Sequence, residues 1–462
     1  VKISFHGADR GVTGSCHLIE CGGRRVLVDC GLYQGGRELD RENAEPFGFD
    51  AASIDFVLLT HAHLDHCGRL PLLVKRGFRG EIITTAASRE LARLVLLDSA
   101  HLQEEDTRRQ SRRNARHKRR DDGDEALYSE LDCLNTFDNF GRNANYDKAF
   151  DLAPGLRATF VDAGHILGSA SVVLDLREGS HSSRLVMSGD IGGNGRPFLR
   201  DPTPPPPCDA VVMETTYGDR LHKALRPSIE EFYDAIADTF RRGGNVIIPT
   251  FALERAQELL FYLREGMEQG RIARPTQVFL DSPMAISATE IFQRHHECYD
   301  EEAARLFEGA YDPFRLPGLH YTRETADSIA LNRIKGGAII MAGSGMCTGG
   351  RIRHHLSQNL WREDSSVIFV GFAANGTLAR RIIDGATEVS IFGEPVAVRA
   401  RIHTINGFSA HADQAELLAW RASTKAARTF LVHGEEKSMA RFGERLKDTK
   451  VEMPRPGETF DL

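Results

Sequence analysis

A chain of 462 residues is too long for one ordinary hydrophobic core, so two or three domains are expected. Apolar residues at 41% and charged residues at 27% give a globular balance, and no apolar run reaches the roughly 18 residues a membrane span needs, so no membrane partner is expected. With a formal net charge of −7, any nucleic-acid partner must be held by local basic patches rather than by the chain's overall field.

The opening stretch, VKISFHGADRGVTGS, lacks the charged, apolar and small-residue regions of a secretory leader, and none is expected. Short apolar runs then alternate with glycine-rich turns. VKISFHGA, CHLIEC, RRVLVDCG, IDFVLLTHAH, EIITTAA, ATFVDAGH, ASVVLDL, RLVMSGD and AVVMETTYG each fit a strand. Helical patterns fall between some of them, at RLPLLVKRG and SRELARLVLLDSAHLQEED. The proline run at 201–207, DPTPPPP, reads as a rigid connector. From Gly243 the pattern becomes strand-then-helix: NVIIPTFALERAQELLFYLREGM, QVFLDSPMAISATEIFQRH, AIIMAGSGMCTGGRIRHHL and SVIFVGFAANGTLARRIIDGA. Such alternation predicts a parallel sheet covered by helices. The tail returns to a strand (VAVRARIHTI), a helix (ADQAELLAWRAS), a strand (RTFLVHG) and a last helix. The eight cysteines form no CxxC pair, which predicts a reducing, cytoplasmic setting.

Chemistry-bearing residues collect where strands end. THAHLDHCG places His61, His63, Asp65 and His66 in one short turn after an apolar strand. Asp29 closes RRVLVDCG, His165 lies in DAGHILGS, Asp190 closes RLVMSGD and His433 closes RTFLVHG. Strand ends of a layered α/β fold gather at one rim, where sites form. Imidazoles and carboxylates are the natural ligands of zinc, and two zincs need about seven or eight ligand bonds, which this set supplies if one carboxylate bridges. A single histidine such as His165 reads equally well as a hydrogen-bonded loop residue; HxHxDH as a unit does not. Cys30 and Cys67 sit beside Asp29 and His66 but read as small core residues.

HxHxDH, with an upstream strand ending in Asp and downstream His and Asp at strand ends, resembles the metallo-β-lactamase fold. Glu214 in METTYGDR, His411 in GFSAHAD and His433 in LVHGE extend the resemblance to the β-CASP nucleases, as do TFALERAQELL, LDSPMA, GSGMCTGGRIRHHL and GFAANGTLARRIIDG. The likeness spans nearly the whole chain and is nearest to prokaryotic relatives of the endonuclease subunit that cleaves pre-mRNA 3′ ends. It implies an αββα sandwich over 1–217 and 396–462, with a β-CASP domain (a parallel sheet flanked by helices) inserted at 218–395. It also implies one zinc on His61, His63 and His165, a second on Asp65, His66 and His433, Asp190 bridging them, and Asp29 supporting the ligands from behind. Catalytic roles are implied for Asp29, Asp65, Glu214 and His411, the last as general acid charged by Glu214; by itself, His411 reads as the cap of the following helix. Two such zincs activate a shared water and clamp a phosphate oxygen.

The glycine-rich turns of the second domain are the expected substrate side, through Ser344, Gly345, Thr348, Gly349, Arg351, Asn375 and Thr377, with Ser409 from GFSAHAD. His354, His355 and His403 match no chemical motif. Residues 108–120, RRQSRRNARHKRR, carry eight Lys or Arg in thirteen positions and no acid; they read as a solvated helix or as a clamp on RNA. The reading is therefore a two-zinc ribonuclease acting on single-stranded RNA, endonucleolytic and 5′–3′ exonucleolytic modes both being open. A β-CASP nuclease for DNA is the nearest alternative, disfavoured by His433, since DNA-repair members tend to carry an apolar residue there. An RNA-binding scaffold without catalysis is the alternative of another class. A homodimer is compatible with the resemblance.

Overall fold

The computed structural model of the protein describes residues 1–35, 37–116, 126–308, 312–371, 373–374 and 376–462, with side chains omitted at 37, 38, 40, 110, 112–116 and 306–308. Asn375 and the basic run beyond residue 116 thus lie outside the described residues. The chain divides into two compact units, Val1–Leu221 with His411–Leu462, and His222–Ala410.

The first unit holds two seven-stranded sheets. One runs, edge to edge, Thr459–Asp461, Lys2–Phe5, His17–Cys21, Arg24–Val28, Phe56–Leu58, Glu81–Thr85 and Phe140–Ala144. The other runs Lys450–Glu452, Arg428–Val432, Ala210–Glu214, His181–Met187, Ala170–Glu178, Leu156–Asp162 and Phe150–Ala153. The sheets share a core in which Ile19, Val26 and Val28 meet Phe160, Val172, Leu174, Met187 and Val212. Strand alternation sends the intervening residues the other way. Val173, Val211 and Leu431 pack under helices with Leu417, Trp420, Met439 and Phe442. Each such side chain, fully buried, contributes about 1.5–3 kcal/mol. This is the αββα sandwich.

The middle strands of both sheets run parallel. Arg24–Val28, Phe56–Leu58 and Glu81–Thr85 pair in parallel, as do His181–Met187, Ala210–Glu214 and Arg428–Val432. Their C-terminal ends carry Asp29, Thr60 and His61 in one sheet and Asp190, Glu214 and His433 in the other. The proline connector has no regular structure and joins two adjacent strands of one sheet, His181–Met187 and Ala210–Glu214.

The second unit is built on a six-stranded, wholly parallel sheet ordered Leu319–Tyr321, Gln277–Leu280, Ala338–Ala342, Val246–Pro249, Ser366–Phe369 and Arg401–Thr404. The helices expected after four of these strands form at Arg255–Glu268, Pro283–Phe292, Ile352–Asn359 and Leu378–Ile383. Side chains start two of them: Ser282 accepts the Ala285 N–H and Thr377 the Arg380 N–H. One expectation needs correction. VAVRARIHTI is not one strand. Glu394–Ala397 closes a hairpin with Glu388–Ile391, and Arg401–Thr404 adds to the edge of the parallel sheet. The turn at Phe392 and Gly393, both at positive φ, carries no Asn or Asp to announce it.

Candidate metal centre

Every histidine and aspartate expected at the rim meets there. His61, His63, His165 and Asp190 offer ligand atoms within 4.8 Å of one another; so do Asp65, His66 and His433; so do Asp190, Glu214 and His411. In the first cluster, His63 Nδ1 lies 3.1 Å from His61 Nε2 and 3.2 Å from His165 Nε2, while both Nε2 atoms lie 3.5 Å from Asp190 Oδ2. In the second, His433 Nε2 lies 3.3 Å from His66 Nε2 and 3.4 Å from Asp65 Oδ2, and Asp190 Oδ1 lies 3.2 Å from His66 Nε2. Asp190 therefore turns one oxygen toward each cluster.

These distances test whether the residues fit a metal. Ligand atoms about 2.0–2.2 Å from a tetrahedral zinc stand about 3.3–3.5 Å apart. Ring nitrogens and carboxylate oxygens crowded at that spacing are a donor set for a cation. Asp190, 1% exposed, adds a buried carboxylate whose two oxygens take no conventional hydrogen bond. The donors fit.

Surrounding groups fix which nitrogen faces inward. Asp29 accepts the Thr60 N–H and hydroxyl, both at 2.8 Å, and His66 Nδ1–H at 2.7 Å, which leaves His66 Nε2 its lone pair. Thr60 Oγ1 lies 3.1 Å from His61 Nδ1 and orients that ring in the same way. Thr60 escaped the sequence reading, although its place directly before the first histidine was a signal. Asp29 and His433 both adopt left-handed backbone (φ 61° and 48°), strain of the kind held at functional sites. Burial, reinforced by neighbouring rings, holds His61 and His165 well below the usual imidazole range, and burial lowers His63 to about 4 despite its acidic neighbours. Neutral imidazole is the form that binds metal.

Glu214, fully buried at a strand end, accepts the Ile191 N–H at 2.6 Å and faces His411 Nδ1 with both oxygens, at 3.1 and 3.2 Å. Burial opposes charge on His411, but Glu214 outweighs it and lifts the pKa to about 9. The helix Gln414–Thr424 is capped by Asp413 through a capping box with Glu416, so His411 is not spent as a cap.

The expected substrate residues are a different set. Ser344 Oγ accepts the N–H groups of Thr348 (3.1 Å) and Gly349 (3.4 Å), shaping its own turn. Arg351 is committed inside the fold, to Asp281 at 2.7 Å and the carbonyls of Thr322 and Arg323. Thr377 is a helix cap. Gly345 and Gly349 remain in the turn, half-buried, and Ser409 is half-buried two residues before His411. His355 donates into Asp281 at 2.6 Å, a structural role, as the absence of a motif suggested.

Three family descriptions match the chain: the metallo-β-lactamase superfamily over residues 9–249, the β-CASP domain over 256–382, and the Zn-dependent metallo-hydrolase RNA specificity domain over 395–454. Ribonuclease TTHA0252 of Thermus thermophilus is 40% identical over 460 residues, covering 99% of both chains. The chain belongs to the β-CASP branch of the metallo-β-lactamase superfamily. This β-CASP protein is accordingly a metal-dependent hydrolase of the ribonuclease family. Its relatives include the transcription termination factor FttA of Methanocaldococcus jannaschii, 30% identical over 97% of this chain and 69% of that one. A protein of unknown function from Enterococcus faecalis, at TM-score 0.56 and 12% identity, shares the β-CASP protein's fold over 100% of this chain and 99% of its own. Among the described residues no helix is long and apolar enough to cross a membrane, and all eight cysteines are free.

Proposed function

We propose that the protein hydrolyses phosphodiester bonds of single-stranded RNA with two zinc ions per chain, breaking the P–O3′ bond. The observation that carries the reading is the pair of clusters joined by Asp190, with His411 and Glu214 beside them. His61, His63 and His165 would hold one zinc and Asp65, His66 and His433 the other, with Asp190 offering one oxygen to each cluster. When bound, the pair supplies a nucleophilic water of lowered pKa and a clamp for a phosphate oxygen.

The chain's own groups do the rest. Asp29 keeps the His66 proton on Nδ1, so that Nε2 turns its lone pair toward the Asp65 and His433 cluster, where it would bind the second ion. His411 donates Nδ1–H to Glu214 and carries its second proton on Nε2. The carboxylate keeps the ring protonated near neutral pH and fixes its plane. That proton goes to the leaving 3′-oxygen, leaving a 3′-hydroxyl and a 5′-phosphate. RNA rather than DNA is supported by the RNA specificity description over 395–454 and by the ribonuclease relative. The two compact units correspond, on this reading, to the hydrolase sandwich and the β-CASP insertion.

The test is cleavage of end-labelled single-stranded RNA and matched DNA, with and without chelator, alongside zinc analysis. Chelator-sensitive cleavage of RNA by protein carrying two zincs is expected. RNA binding without cleavage by fully metallated protein would favour the scaffold reading instead.

A further inference from the structure

Phe251 follows the strand Val246–Pro249 and is 42% exposed. A lone exposed phenylalanine is ordinary, but this one has a prepared seat. The two strands flanking Val246–Pro249 are Ala338–Ala342 and Ser366–Phe369, and a glycine follows the end of each. A Cβ on Gly345 would come within 2.7 Å of the Phe251 ring, so only glycine lets the ring lie there; one on Gly371 would sit at 3.8 Å, ordinary contact. The ring is laid over backbone at the C-terminal ends of three adjacent parallel strands, the place where open α/β sheets bind ligands.

Beside it, the turn 344–347 is closed by Cys347 N–H to Ser344 O at 3.1 Å. The N–H groups of Ser344, Thr348 and Gly349 are consumed within the same loop. Those of the two central residues, Gly345 and Met346, make no hydrogen bond among the described residues. An open aromatic face next to two successive unpaired amide donors matches one kind of ligand: a planar π-system joined to an anion. A nucleotide is that ligand, its base on the ring and its phosphate on the amides.

We propose that Phe251 is the stacking platform for one nucleobase of single-stranded RNA, with the Gly345 and Met346 N–H groups holding the adjoining phosphate. The proposal rests on the ribonuclease reading and adds a contact blind to base identity, since every base presents a π-face.

Binding of a short fluorescein-labelled RNA, followed by anisotropy in a His411→Ala background to suppress cleavage, tests it. Phe251→Ala and Phe251→Leu should each weaken binding roughly 5- to 150-fold, the factor equivalent to loss of one base–aromatic stack, whereas Phe251→Trp should keep the affinity. Leucine preserves an apolar cover over the glycines, so a merely structural role predicts little loss there. A single abasic nucleotide, scanned along the RNA, should carry a penalty at one position with Phe251 present and none at that position in Phe251→Ala. With His411 intact, turnover of bis(p-nitrophenyl) phosphate should be the same in all three Phe251 variants, showing that fold and metal centre survive. Wild-type affinity in Phe251→Leu, or an abasic penalty that persists in Phe251→Ala, overturns the platform and leaves the ribonuclease reading standing. Failure of the wild-type protein to bind or cleave RNA while it hydrolyses the small diester overturns both.

Discussion

Two buried aspartates, one in each unit, follow parallel strands and sit beside histidines, yet they differ in kind. Asp281 in the second unit is saturated. It receives Ser328 Oγ–H at 2.6 Å, His355 Nε2 at 2.6 Å and Arg351 Nη1 at 2.7 Å. Asp190 in the first unit is as buried but faces ring nitrogens at 3.2–3.5 Å, and neither of its oxygens takes a conventional hydrogen bond. A buried carboxylate next to histidine is therefore no sign of a site in itself. The sign is an unmet demand for positive charge, which Asp190 shows and Asp281 does not.

Replacement of each aspartate should separate the two kinds cleanly. The largest effect belongs to Asp190→Asn, which should abolish RNA cleavage and bring zinc below two per chain, while the metal-free protein melts close to wild type. Full activity with wild-type zinc content would erase the distinction between the two aspartates. Next is His411→Ala, expected to slow RNA cleavage by roughly 10²–10⁴-fold with both zincs retained. Its pH profile should also change. The acid must be protonated, so the wild-type rate falls as pH rises through the His411 pKa; this alkaline limb should vanish in His411→Ala. In Glu214→Gln it should move to lower pH, because the carboxylate that raises the pKa is gone. A limb unmoved by either change would assign the proton to another group.

The sandwich and the rim were legible in the sequence because burial on one face of a strand writes a period-two pattern, and because ligand chemistry tolerates few residue types. His61, His63, Asp65, His66, Asp190 and His433 stand out at strand ends, whereas His165, a loop histidine by itself, enters the set through the family resemblance. What stayed hidden depends on partners distant in sequence. Arg351 reads as a phosphate contact in GGRIRHHL, yet its guanidinium is taken by Asp281, seventy positions away. Phe251 reads as one more apolar residue in TFALER until Gly345 and Gly371 are brought beneath it. Phe140–Ala144 and Phe150–Ala153 lie at a sheet edge with polar, exposed faces, so no apolar run marked them. Thr60 shows its use only once Asp29 lies across the strand ends.

Asp281→Ala should be mainly a stability defect. Removing one partner of a buried charge cluster leaves Arg351 and His355 uncompensated, at about 3–5 kcal/mol. Burial raises the Asp281 pKa, but His355, Ser328 and Arg351 together bring it below the usual range. The contribution is thus complete above the ordinary aspartate range and fades as pH falls through the lowered value. Chemical denaturation of wild type and variant at neutral and acidic pH measures it, and the gap should narrow in acid. Zinc content should be unchanged. Loss of zinc from the folded variant would mean the second unit shares in the metal chemistry after all.

The smallest effect is also the most selective. Asp29 is saturated like Asp281, but one of its bonds passes through His66 to a ligand atom. Asparagine at position 29 keeps one acceptor and sets an amide N–H₂ against the edge where Thr60 O–H and His66 Nδ1–H now point. The hydroxyl can rotate away. The ring can adapt only by moving its proton to Nε2, the nitrogen that faces the second cluster. Asp29→Asn should therefore weaken zinc roughly 10- to 100-fold at the Asp65, His66 and His433 cluster. The His61, His63 and His165 cluster should be nearly untouched, since Thr60 still orients His61. Titration of zinc against a competing chelator resolves the two affinities. Equal weakening at both would mean that Asp29 supports the whole rim as Asp281 supports its strand. No weakening at either would mean that the His66 tautomer is set by the metal and not by the protein.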